Sequence, residues 1–137
     1  MEIKPLEEEA NKKLISPVIM KATDQAFLEK VIKLINENIA DNELNVDFLA
    51  RNIGMSRVHM YRKIKELTNQ SAYDFIKTIR MQQASEILSK QKVNISEVAY
   101  ALGYSNLSHF SNSFKDYYGL SPKEYSEKNR PVNQNNN

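Results

Sequence analysis

The sequence predicts an all-α fold of about seven helices, built as two helix–turn–helix lobes joined by one long central helix. Three observations carry this. Apolar residues recur at helical spacing through most of the 137 residues, and three glycines with few β-branched runs leave little that reads as strand. The stretch LARNIGMSRVHMYRKIKEL, from Leu49 to Leu67, sets a glycine corner between a short apolar helix and a basic one. The pattern around that corner then returns about fifty residues later, which marks an internal repeat.

Composition narrows the function. Hydrophobic residues make up 41% of the chain and charged ones 26%, enough for a core and a soluble surface. The net charge is only +2, so affinity for a polyanion has to come from placed charges rather than bulk charge. Without cysteine there are no disulfides and no thiolate metal sites. The start MEIKPLEEE has no signal-peptide run, and no stretch approaches the roughly 18 apolar residues of a membrane span. A soluble, cytoplasmic protein without membrane contact is expected. Only His59 and His109 could serve as bases at neutral pH, and neither G-x-x-x-x-G-K nor H-E-x-x-H occurs. No enzyme, no cofactor and no metal site is expected.

Residues 1–23 carry four acids, four bases, Pro5 and Pro17, and read as a linker or tail with a helical turn around Glu7 to Leu14. The run Glu7-Glu8-Glu9 reads as a solvated face. From Asp24 the pattern is helical. Phe27, Val31, Leu34 and Ile35 share a face, which Leu28, Ile32 and Ile39 widen, until Asp41-Asn42-Glu43 breaks it. Asn45 caps a short helix that runs through Ile53. Gly54 makes the corner, and Ser56 caps the next helix. At about 100° per residue, Met60, Ile64 and Leu67 fall on one side of that helix, and Val58, Tyr61, Arg62 and Lys65 on the other. Asn69 can take the left-handed conformation that stops it.

A long helix follows over about 71–90, with Ser71 and Asp74 at its start and Phe75, Ile79, Ile87 and Leu88 as its apolar stripe. Its length is roughly 28–30 Å. Asn94 with Glu97 opens a short helix to Leu102, Gly103 makes the second corner, and Asn106 to Tyr118 forms the next helix, stopped by Gly119. Ser121-Pro122-Lys123-Glu124 is a strong start for the last one. Residues 129–137, which end in PVNQNNN, read as a disordered low-complexity tail.

The two halves align in detail. Asn45, Leu49, Ala50, Ile53 and Gly54 recur as Asn94, Val98, Ala99, Leu102 and Gly103. After one extra residue in the second turn, Met60, Ile64, Lys65, Asn69, Ser71 and Asp74 recur as Phe110, Phe114, Lys115, Gly119, Ser121 and Glu124. On the outward faces, Val58, Tyr61, Arg62 and Lys65 answer to Ser108, Ser111, Asn112 and Lys115. The first set suits phosphates and base edges, since Arg62 can pair with guanine in bidentate fashion; Asn112 can do the same with adenine. From Arg57 to Lys65 there are four cations and no acid, against one cation from Asn106 to Lys115. The first lobe is therefore expected to hold DNA and the second to add selectivity.

Residues 24–128 resemble the DNA-binding module of AraC/XylS-type transcription regulators. The resemblance rests on LARNIGMSRVHMYRKIK, the central IRMQQASEIL, and ISEVAYALGY, SHFSNSFK and YGLSPKEY in the second half. It implies a seven-helix, homeodomain-like, two-lobe fold: lobe one over about 24–70, a linker helix over about 71–90 and lobe two over about 94–128. It also implies that each recognition helix enters a major groove on one face of the DNA. The length of the connecting helix agrees with groove turns about 34 Å apart.

By position, the resemblance assigns base reading to Arg57, Val58, Tyr61 and Arg62, then to Asn106, Leu107, Ser108, Ser111 and Asn112. The implied partner is double-stranded DNA, with RNA polymerase as a further partner of such a regulator. The family usually has Arg where this chain has Asn112, and Gly where it has Asn69. The segment FLEKVIKLINENIAD is similar to the one preceding this module in bacterial hybrid two-component regulators, which implies a receiver or sensor domain upstream.

The rival reading is a helical protein-binding module using the same amphipathic helices. Such a surface needs aromatic and apolar anchors. Here only Val58, Tyr61 and Leu107 qualify, amid Arg, Lys, Ser and Asn. The residues favour DNA.

Overall fold

Side-chain caps set most of the helix starts. A computed structural model of the chain describes residues 21–129. Among them run seven helices: α1 Ala22–Glu37, α2 Val46–Ile53, α3 Arg57–Thr68, α4 Ala72–Lys90, α5 Ile95–Ala101, α6 Leu107–Tyr118 and α7 Pro122–Asn129. Asn45 and Ser56 accept from the N–H groups of Phe48 and His59 at 3.0 and 3.1 Å. Ser71, Asn94 and Asn106 do the same for Asp74, Glu97 and His109. Each such cap stabilises its helix by about 1 kcal/mol. Ser121 and Glu124 form a reciprocal box, and the Ser121 N–H and hydroxyl hold the Glu124 carboxyl below its usual range.

Stops are as local as starts. Gly54, Asn69 and Gly119 end α2, α3 and α6 in the left-handed region, at φ 81°, 61° and 83°. Asn69 serves there because its short polar side chain tolerates that conformation.

The helices form two compact units. The first gathers residues 21–38 and 43–79, the second 39–42 and 80–129. In the first, α1 packs on α2 and α3, burying Phe27, Leu28, Val31 and Ile35 together with Leu49, Met60, Ile64 and Phe75. Leu34 and Ile32 stay half-buried at the edge of that face. In the second, Leu88, Val98, Leu102, Phe110, Phe114 and Tyr125 make the core. Burial of Tyr118 pushes its hydroxyl's pKa up, and that hydroxyl donates to the Met81 carbonyl at 3.2 Å.

Several features differ from those read in the sequence. First, α1 starts at Ala22, without a side-chain cap, rather than at Asp24. The Asp24 carboxylate instead meets Lys63 Nζ of α3 at 2.9 Å. Second, residues 39–42 leave lobe one and join the second unit. Asn38 ends α1 by donating to the Leu34 carbonyl, and the Arg80 guanidinium binds the carbonyls of Ile39 and Asp41 at 3.2 and 2.7 Å. Third, α4 has no single stripe. Ala72, Phe75, Ile76 and Ile79 are buried in one register, Met81, Ala84 and Leu88 in another, while Ile87 is only half-buried.

The expected turn around Glu7 to Leu14, the Glu7–Glu9 run and the tail beyond Asn129 lie outside the described residues. Among the described residues, no helix is long and apolar enough to cross a membrane.

Candidate nucleic-acid interface

Both corners are built on a small residue. In the first, the Ala50 carbonyl accepts from the N–H groups of Gly54 and Met55, both at 2.9 Å. In the second, the Ala99 carbonyl accepts from Leu102 and Tyr104 at 3.2 and 3.0 Å. Ala50 and Ala99 are buried, so the absence of a larger side chain lets the following helix approach. Gly54 and Gly103, at φ 81° and 90°, supply the left-handed step. The extra residue of the second turn is visible as two residues between Gly103 and the Asn106 cap, against one between Gly54 and Ser56.

These corners fix which way each recognition helix faces. On α3, Met60 and Ile64 are fully buried while Val58 and Tyr61 are 67% and 49% exposed. Arg62 and Lys65 share the exposed side. On α6, Phe110 and Phe114 are fully buried. Leu107, Ser108, Asn112 and Lys115 are exposed, whereas Ser111 is half-buried. Asn106 is exposed too, but its carbonyl oxygen is committed to the His109 N–H at 2.7 Å, which leaves its amide NH₂ for a ligand.

The four cations of α3 are not equivalent. Lys63 pairs with Asp24 in a half-buried setting and lies 5.2 Å from the Phe27 ring centre, so its charge is spent inside the first unit. The Nε of Arg57 sits 3.3 Å from Asp47 of α2. Arg62 and Lys65 extend from the outward side. The sequence showed the cations but not these partners, because each acid lies on another helix.

His59 and His109 are exposed, and the His109 ring meets Tyr104 edge-on at 5.2 Å. Among the described residues no cluster of His, Asp and Glu could hold a metal ion. Two exposed aromatics lie off the recognition helices: Tyr73 on α4 and Tyr100 on α5.

A helix-turn-helix domain family matches residues 49–128. The chain is similar to Histidine kinase P4 of Formosa agariphila, with 30% identity over 118 residues, covering 85% of this chain and 9% of that protein. It spans 9%, 37% and 52% of the lengths of three curated relatives. Among solved structures it resembles the C-terminal domain of AraT, a response regulator from Geobacillus stearothermophilus. The identity is 27% and the TM-score 0.72, over 81% of this chain and 91% of that one. It also resembles the DNA-binding domain of AdpA, a global transcriptional factor solved in complex with a target DNA. That match has 25% identity and a TM-score of 0.67, over 73% of this chain and 89% of the other. Two capped corners, two outward polar helix faces and these likenesses converge: the chain belongs to the helix-turn-helix domain family of AraC/XylS type, the DNA-binding domain of transcription regulators.

Proposed function

We propose that this chain is the DNA-reading output module of a larger signal-responsive regulator, with α3 and α6 each entering a major groove of double-stranded DNA. The observation that carries the reading is the outward side of α3. There Val58, Tyr61, Arg62 and Lys65 stand exposed opposite the fully buried Met60 and Ile64. Arg62 and Tyr61 read base edges, Val58 offers an apolar contact to a thymine methyl, and Lys65 holds phosphate. On α6, Ser108, Ser111 and Asn112 read by short hydrogen bonds, Leu107 makes apolar contact and Lys115 meets phosphate. The module itself carries out no reaction and works in the cytoplasm, where bacterial DNA lies. A receiver or sensor domain upstream and RNA polymerase are the further partners proposed.

Binding to a duplex selected from a random pool, measured at several salt concentrations, tests this reading. Arg62→Ala should weaken the selected site by roughly 1–3 kcal/mol and relax its sequence preference. Lys65→Ala should weaken all duplexes alike and flatten the salt slope by about one unit. Lys63→Met should leave that slope as in wild type, because Lys63 already faces Asp24 at 2.9 Å. Variants at 62 and 65 that bind like wild type would remove α3 from the interface.

A further inference from the structure

Arg57 is the first residue of α3, where a cation opposes the positive end of the helix dipole. It nonetheless has a close acidic neighbour: its Nε lies 3.3 Å from Asp47 Oδ1, and the two side chains are 70% and 45% exposed. A carboxylate on Nε occupies one edge of the guanidinium. The two Nη groups at the far end keep their four N–H donors, in the fork geometry that matches the O6 and N7 acceptors of guanine.

The chain's own repeat supplies a second observation. At the corresponding places of the second helix–turn–helix stand Ser96 and Leu107, so acid and base are absent together. A lone Asp47 would be explained by its place in the first turn of α2, where the dipole favours an acid. That explanation fits Glu97, in the first turn of α5, equally well, and Glu97 has no arginine opposite it in the repeat. The pairing of Asp47 with Arg57 therefore needs a reason beyond helix stability, and a surface pair this exposed adds little to stability.

We propose that Asp47 is a positioning residue for DNA recognition: it holds the Arg57 guanidinium so that its Nη edge reads a guanine in the groove entered by α3. The proposal rests on the DNA-reading function above. Asp47 touches no base. It narrows the conformations of Arg57 before binding, and as a negative charge near the backbone it disfavours any duplex in which Arg57 finds no base partner. Asp47 thus serves discrimination at some cost in bulk affinity.

The test compares wild type, Asp47→Asn, Arg57→Ala and the double variant of the full 137-residue chain. Each is titrated with a duplex selected by the wild type and with a random duplex of equal length, and thermal melts check folding. Asp47→Asn should bind the random duplex as tightly as wild type or more so, and should lose about tenfold in the selected-to-random ratio. In the Arg57→Ala background the same substitution should leave that ratio unchanged. A purely structural role would shift the melt and weaken both duplexes in proportion. An Arg57 that meets only phosphate would leave the ratio unchanged in Asp47→Asn. Either result overturns the proposal while the DNA-reading function stands. A wild-type chain that selects no duplex at all overturns both.

Discussion

Gly103→Ala should destabilise the second unit by about 3 kcal/mol, well beyond what the same change does at Gly54. Both glycines sit at positive φ, 90° and 81°, where an L side chain costs on the order of 1–3 kcal/mol. They differ in what surrounds them. A Cβ on Gly54 meets nothing within 4 Å. A Cβ on Gly103 would lie 2.5 Å from the Ile39 carbonyl oxygen and would run into the Arg80 guanidinium. That guanidinium cannot retreat freely, because it binds the carbonyls of Ile39 and Asp41 and lies 5.9 Å from the Tyr104 ring centre. Overpacking of this kind adds typically 1–3 kcal/mol. Thermal melts followed by circular dichroism should show a clearly larger drop in midpoint for Gly103→Ala than for Gly54→Ala. Equal drops would mean that the segment at 39–42 does not lie against the second corner.

Phe114→Ala should cost more, about 3–5 kcal/mol, since a fully buried phenyl is lost and a cavity remains. Its ring lies 4.7 Å from Tyr118, 5.2 Å from Tyr125 and 6.0 Å from Phe110, so the loss runs through the whole aromatic cluster. Five of the seven tyrosines, Tyr100, Tyr104, Tyr117, Tyr118 and Tyr125, belong to this unit, and there is no tryptophan. Near-ultraviolet circular dichroism therefore reports on it almost selectively, as Tyr61 and Tyr73 are exposed. The variant should lose most of the tyrosine signal while keeping the helical signal of the first unit. A native tyrosine spectrum with an unshifted melt would contradict the placement of Phe114 at the centre of this core.

The features legible in the sequence are those set by residues close together in the chain. Asn45, Ser56 and Asn94 declare their caps three residues ahead of the N–H groups that they satisfy, and Gly54, Asn69, Gly103 and Gly119 declare their turns by conformational freedom, whereas Asn106 reads as the first residue of its helix and proves to be its cap. The outward set on α3 follows from 3.6-residue periodicity alone, because Met60 and Ile64 are wholly buried. Two kinds of feature escaped. Pairs such as Asp24 with Lys63, thirty-nine residues apart, depend on packing that no local pattern encodes. The apolar residues of α4 follow no single period, because the first of them serve one core and the later ones another.

On the two recognition helices, packing and contact with solvent are divided between different residues. Met60, Ile64, Phe110 and Phe114 hold the fold, whereas Val58, Arg62, Ser108 and Asn112 are exposed and belong to no core. Selection can therefore act on one set without disturbing the other. The repeat displays this division within a single molecule: the buried positions are apolar in both halves, while the outward ones carry cation and phenol in one and hydroxyl and amide in the other. Such a scaffold can acquire a new address through a few surface changes, with each intermediate still folded. Arg57 and Asn106 are the constrained exceptions, one tied to Asp47 and the other to its own helix end, and at those two places divergence has to proceed in coordinated steps.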